Sequence, residues 1–337
     1  MISPTSATSI MAPENDNLTS EHILALVRTI NTSTKELPEV FSFGRSGYDC
    51  LTRIKIKLIN DKDLEPEKWE KLTAIKSAIE EFHRLGPLFL QKKTMEPDIT
   101  DDDFVCVFLY FKDLVDGGDP ADGFYLREHV DVFRKVWSKR KAPTLLDARY
   151  LTTMVAAYQR LGYPWRGRQY AALLENVMKK VPFRDGYDEL IRFYQNVRDL
   201  PHAIALAEEA TRACLKVGKV SLGATYARKA YQMYRILPLA MRYIPSDDEI
   251  RKTFGEHATE VLRYRSHKPN LAVDPVEHTA DFRAVYDEVM EATEKRLAEE
   301  GDAHIPQQRW SIMTEEFYKR GVEWKDPGTM NPGVMFD

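Results

Sequence analysis

Cysteine is scarce: Cys50, Cys106 and Cys214 are the only three in 337 residues. They are odd in number and far apart, and two lie inside apolar helix patterns. The reading is reduced, buried thiols in a non-secretory compartment, with no structural disulfide and no pair at zinc-ligand spacing. Long apolar runs are also lacking. The longest, FVCVFLYF at residues 104–111, falls well short of the roughly 18–20 residues of a membrane-spanning helix. A peripheral seat on a membrane stays open. Excess positive charge is absent too: 48 Lys+Arg stand against 52 Asp+Glu, with a net charge of −4 and a pI near 6.1. That excludes a globally basic nucleic-acid binder and leaves a local basic groove possible.

Catalytic signatures are missing as well. The eight histidines (His22, His83, His129, His202, His257, His267, His278 and His304) are scattered. None stands four residues from another and none belongs to an H-E-x-x-H unit. His129 has Glu128 and Asp131 beside it, which also suits a surface or satisfied core histidine. Gly44-Arg45-Ser46-Gly47 lacks the Lys-Ser/Thr of a phosphate loop, and no G-x-S-x-G elbow occurs. Asp98 and Asp101-Asp102-Asp103 lack the spacing and glycine of a calcium loop; they suit the start of a helix. The sequence assigns no catalytic, cofactor-binding or metal-ligating residue, and no cofactor.

What is present is core material and helix grammar. Hydrophobic residues make up 43% and charged residues 30%, with 15 Phe, 16 Tyr, 5 Trp and 11 Met. That is enough for two or three compact units with a sizeable core. Residues 1–18 (Ser/Thr-rich, with no Arg before Arg28) read as a disordered tail without presequence or secretory character; an imported chain would carry an atypical or already removed signal. Residues 19–97 read as a helical extension. It has a short helix at Thr19–Ile30 capped by Ser20, a segment at Tyr48–Ile59 that alternates enough to suit either helix or strand, and a helix at Glu65–Leu85. That last helix carries the stripe Trp69, Leu72, Ile75, Ile79 and Phe82.

From about Asp101 to Leu237 a helix-pair pattern recurs. First helices begin near Asp103, Leu145, Gly186 and Val220, with Pro/Gly turns between partners and no strand signal. This spacing predicts an all-α chain whose 98–237 segment is a TPR-like helical-repeat solenoid, a class used mostly as a binding surface. The expected pairs are Phe104–Val115 with Phe124–Trp137, Thr144–Leu161 with Arg168–Val181, and Asp185–Val197 with Pro201–Val217. Lys219–Ile236 covers the stack. Residues 238–300 read as C-terminal helices: one opened by Ser246 and Glu249 and running to about Tyr264, and a charged one within Asp274–Glu300. Residues 301–337 form an aromatic-rich tail that either wraps a neighbour or folds back. Two basic stretches, Arg134–Lys141 and Arg160–Arg168, sit at turns of successive units. They suit either a contact with RNA phosphates or acidic lipid headgroups, or a solvated rim. Trp165 is an interface anchor or core.

Several motifs in order carry a family resemblance. Thr100-Asp101-Asp102-Asp103-Phe104, then Tyr110-Phe111, the step from Asp119 to Leu126-Arg127, and Pro143-Thr144-Leu145-Leu146-Asp147-Ala148 come first. Ala156, Arg160 and Leu161, Leu174-Glu175-Asn176-Val177-Met178-Lys179, and Tyr187 to Leu190 follow. Asp98–Leu200 thereby resembles the small helical subunit of mitochondrial cytochrome c oxidase, called Va in animals and VI in yeast. Phe124 or Tyr125 replaces that family's tryptophan, and the first loop is longer. The extensions resemble enlarged protist forms such as the kinetoplastid subunit IV. The resemblance implies a right-handed helical superhelix with no transmembrane helix, peripheral on the matrix side of the inner membrane. It implies no haem or copper in this chain, partners among the other oxidase subunits, and a role in assembly and stability of respiratory complex IV rather than in electron transport itself. The expected function is therefore a non-catalytic structural subunit of cytochrome c oxidase. The alternative is a mitochondrial helical-repeat RNA-binding or ribosome-associated scaffold.

Overall fold

Apolar residues at helical spacing, interrupted by caps and glycines, produce fifteen α-helices and no strand among the described residues. The computed structural model describes residues 18–36, 47–60, 65–117, 120–140, 144–266, 271–300 and 306–335. The chain divides into two compact units, residues 1–143 and 144–337. The first expected helix pair belongs to the first unit, and the second and third pairs belong to the second.

The first unit holds α1 (Ser20–Glu36), α2 (Gly47–Asn60), α3 (Pro66–Met95), α4 (Asp101–Asp116) and α5 (Pro120–Trp137). Thr19, not Ser20, caps α1: its hydroxyl accepts from the His22 N–H at 3.4 Å. The ambiguous α2 segment is helical. It buries Cys50, Leu51 and Ile54 against Leu72, Ile75 and Ile79 of α3. Trp69, placed on the α3 stripe by its spacing, is instead half exposed.

The α3 helix also runs ten residues past the expected stop, through Gly86 and Pro87. A proline in a helix interior costs about 3 kcal/mol. Burying Leu85, Phe89 and Leu90 returns roughly 1.5–3 kcal/mol each, so burial wins. Gly86 is needed because a Cβ there would lie 2.5 Å from the Tyr110 ring. That close approach seats α4 on α3 and extends an aromatic core in which Phe111 stacks on Phe133 with centroids 4.1 Å apart.

The second unit contains α6 (Leu145–Arg160), α7 (Arg168–Met178), α8 (Arg184–Asn196), α9 (Leu200–Lys216) and α10 (Val220–Tyr234). It continues with α11 (Asp247–Phe254), α12 (Ala258–Leu262), α13 (Ala280–Glu300), α14 (Pro306–Lys319) and the short α15 (Pro327–Met330). Helix α6 packs on both α7 and α8, α8 on α9, and α9 on α10. The last pair meets through fully buried small residues: Ala203, Ala207 and Ala210 face a helix carrying Ala224, Ala227 and Ala230.

Two details differ from expectation. The helix opened by Ser246 breaks at Gly255, which has φ 55°, and Leu173 of α7 is exposed. The charged helix expected within Asp274–Glu300 runs from Ala280 to Glu300, after a tight turn at Pro275–His278. The C-terminal aromatics fold back onto their own unit, where Phe317 stacks on Phe282 at 4.6 Å.

Four helices of this unit end in the same way. In each, the second residue after the helix takes a left-handed conformation while the next N–H reaches back five residues to a carbonyl. At Gly162, Gly218 and Gly321, φ is 81°, 72° and 79°. The back-bonds are Tyr163 N to Tyr158 O (2.9 Å), Lys219 N to Cys214 O (2.9 Å) and Val322 N to Phe317 O (3.0 Å). The end of α8 makes the same bond, Asp199 N to Tyr194 O at 2.8 Å, but its left-handed residue is Arg198, with φ 60°.

Candidate functional site

The acidic and basic candidates are used inside their own units. Thr100 caps α4, accepting from Asp103 N at 3.1 Å, so the Asp101–Asp103 cluster forms that helix's first turn. Asp103 then meets the buried Lys93 ammonium at 3.1 Å. Burial opposes the charge on Lys93, but Glu96 and Asp103 outweigh it and raise its pKa. From the stretch Arg134–Lys141, Lys139 Nζ donates to the carbonyls of Lys93 (2.6 Å), Thr94 (2.9 Å) and Glu96, at the end of α3. A cation is favoured there because the last carbonyls of a helix carry partial negative charge. Arg140 pairs with Asp101 at 2.6 Å and lies over the Phe104 ring. Lys141 lies outside the described residues.

The second basic stretch docks α13. Arg166 forms a fork with Glu291 at 2.6 and 2.7 Å, and buried Trp165 donates to the same carboxylate at 2.7 Å. Arg168 forms a second fork with Asp287, one arm at 2.8 Å. Trp165 is therefore core.

The histidines stay apart. His83 pairs with Asp113 at 2.7 Å inside the first unit, and His129 meets the Tyr125 carbonyl at 2.8 Å. His202 stacks on Tyr194 (centroids 3.9 Å apart) and meets Glu175 at 3.1 Å. That bond raises the His202 pKa against the opposing effect of burial. Burial, helped by Arg283 and Arg198, lowers the pKa of His278. His267, His304 and Gly44-Arg45-Ser46 lie outside the described residues. No three His, Cys, Asp or Glu side chains among the described residues are grouped to hold a metal. None of the three cysteines is in a disulfide, and burial pushes the Cys106 thiol up to about 12. No described helix is long and apolar enough to cross a membrane.

One concave feature of the second unit gathers residues that the sequence does not connect. A cavity of about 230 Å³ lies among the end of α8, the Pro275–His278 turn, α13, α14 and the segment around Trp324. Its polar lining is Asn196, Arg198, Glu277 and Arg309. Glu277 is buried and accepts from Trp324 Nε1 at 2.9 Å; burial raises its carboxyl pKa against the pull of Arg198. Arg198 stands 3.6 Å from Glu277, and Arg309 pairs with Glu294 at 2.5 Å. The local clue to this site is an arginine where three parallel helix ends carry glycine.

No family model, curated protein or solved structure matches the chain. The likeness to the oxidase subunit therefore rests on the sequence motifs themselves. Several of these fall on caps and buried faces: Thr144 and Asp147 form a capping box at α6, and Tyr187 and Leu190 are buried in α8.

Proposed function

We propose that this chain is a non-catalytic helical-repeat scaffold, built as a right-handed superhelix over residues 98–237. Following the resemblance, we infer a peripheral, matrix-side structural subunit of mitochondrial cytochrome c oxidase. It would support assembly and stability of the complex and leave the redox chemistry to other chains. The observation that carries the reading is the serial packing of α6, α7, α8, α9 and α10, the first three of which lie in the stretch that bears the ordered family motifs. A repeat of this kind stacks each unit on its neighbour and presents a surface rather than a reaction vessel.

The RNA-binding alternative drew its motivation from the two basic stretches. Their principal cations hold α3, α4 and α13 instead, which weighs against a phosphate-tracking groove. Affinity purification of the tagged chain from detergent-solubilised mitochondria tests the proposal. The expected eluate carries haem a absorbance and the membrane-embedded oxidase subunits. An eluate free of haem a, with the chain monomeric, overturns it.

A further inference from the structure

The cavity beside Arg198 carries an inference independent of the scaffold reading. A non-glycine residue in the left-handed region is strained, and strain of this kind gathers at ligand sites. Gly162, Gly218 and Gly321 show that this fold closes the same turn without that strain. At the end of α8 the strained residue lines a cavity. The Arg198 guanidinium makes no hydrogen bond among the described residues, because its approach to Glu277, at 3.6 Å, is too long for one. Its side chain is 44% exposed, so an incoming group can reach it.

The cavity's character narrows the ligand. Its walls are aromatic: Phe282, Tyr286 and Trp324 are buried, and Trp310 stands with them. Arg309 is taken by Glu294, which leaves Arg198, held only by its 3.6 Å approach to Glu277, as the cation that an incoming acid meets. A volume of about 230 Å³ is below the ~300–1,000 Å³ of sites for drug-sized ligands. It suits a group the size of one aromatic side chain. Arginine recognises planar carboxylates through two parallel N–H donors.

We propose that this cavity binds a carboxylate carried on an aromatic or bulky apolar group. The carboxylate lies on Arg198 and the apolar body lies among Tyr286, Phe282 and Trp324. The carboxylate belongs either to a free small acid or to the C-terminal residue of a peptide chain.

The test uses the full chain, with tryptophan emission and calorimetry as readouts. The probes are 3-phenylpropionate, its neutral amide, and N-acetyl-glycyl-phenylalanine. Saturable binding of an acid is expected, with the amide at least tenfold weaker. Saturation by 3-phenylpropionate points to a free acid; saturation by the dipeptide alone points to a chain end. Arg198→Gly suits the left-handed backbone and should keep the fold, checked by an unchanged melting profile, while weakening the acid at least tenfold. If the amide binds as well as the acid, if Arg198→Gly binds like the parent chain, or if no probe saturates, the proposal is wrong.

Discussion

The two basic stretches look alike as sequence and act differently in the fold. Around Lys139 a single ammonium serves three carbonyls at the end of α3, so one cation closes a helix of its own unit. Around Arg166 and Arg168 two guanidiniums fork onto Glu291 and Asp287, so the cations clamp α13 onto the turn between α6 and α7. A run of Lys and Arg is thus not in itself a surface for an anionic partner. The number of donors and the geometry of the head group decide which internal acceptor it finds.

The comparison breaks first at Lys139. Lys139→Met leaves the α3 carbonyls without their donor and should destabilise the first unit by about 2 kcal/mol, read as a shift in its chemical-denaturation midpoint. An unchanged midpoint would mean that water replaces the ammonium at no cost. The forks in the second unit should weigh less, because both are about a third exposed or more. A double-mutant cycle between Arg168 and Asp287 is expected to give a coupling of about 1 kcal/mol. The pair Arg166 and Glu291 should give roughly half that, and the value should shrink at high salt. A larger coupling at the more exposed pair would invert the ranking.

The smallest effect concerns His202, which is not part of either stretch but titrates in the same unit. Glu175 raises its folded-state pKa above the ordinary value of about 6.5. Its stabilising contribution is therefore full below pH 6.5 and is lost as pH rises through the folded value. Melting temperature should decline across that window, and His202→Gln should flatten the decline. Parallel profiles for both proteins would remove His202 from the account.

What the sequence made legible was local chemistry. The Asp101–Asp103 run opens α4 and Ser246 with Glu249 caps α11, because a helix start needs only residues within one turn. The passage of α3 through Gly86-Pro87 was not legible. It depends on the Tyr110 ring from another helix and on how much apolar surface Phe89 and Leu90 bury. The exposure of Trp69 and Leu173 was hidden for the same reason: periodicity marks a face but not whether a partner covers its rim. The cavity was the least legible feature, since Arg198, Glu277, Arg309 and Trp324 are brought together only by the fold. The fate of the second basic stretch needed the positions of Glu291 and Asp287, more than a hundred residues away.

The central proposal is that this helical chain is a scaffold subunit, with the principal cations of its basic stretches serving its own fold. Sedimentation of detergent-solubilised mitochondria, with the chain and haem a absorbance followed in every fraction before and after nuclease, tests it most directly. The account predicts one peak containing both, unmoved by nuclease. A chain that sediments with ribosomal particles, free of haem a, and shifts to lighter fractions after nuclease would contradict it.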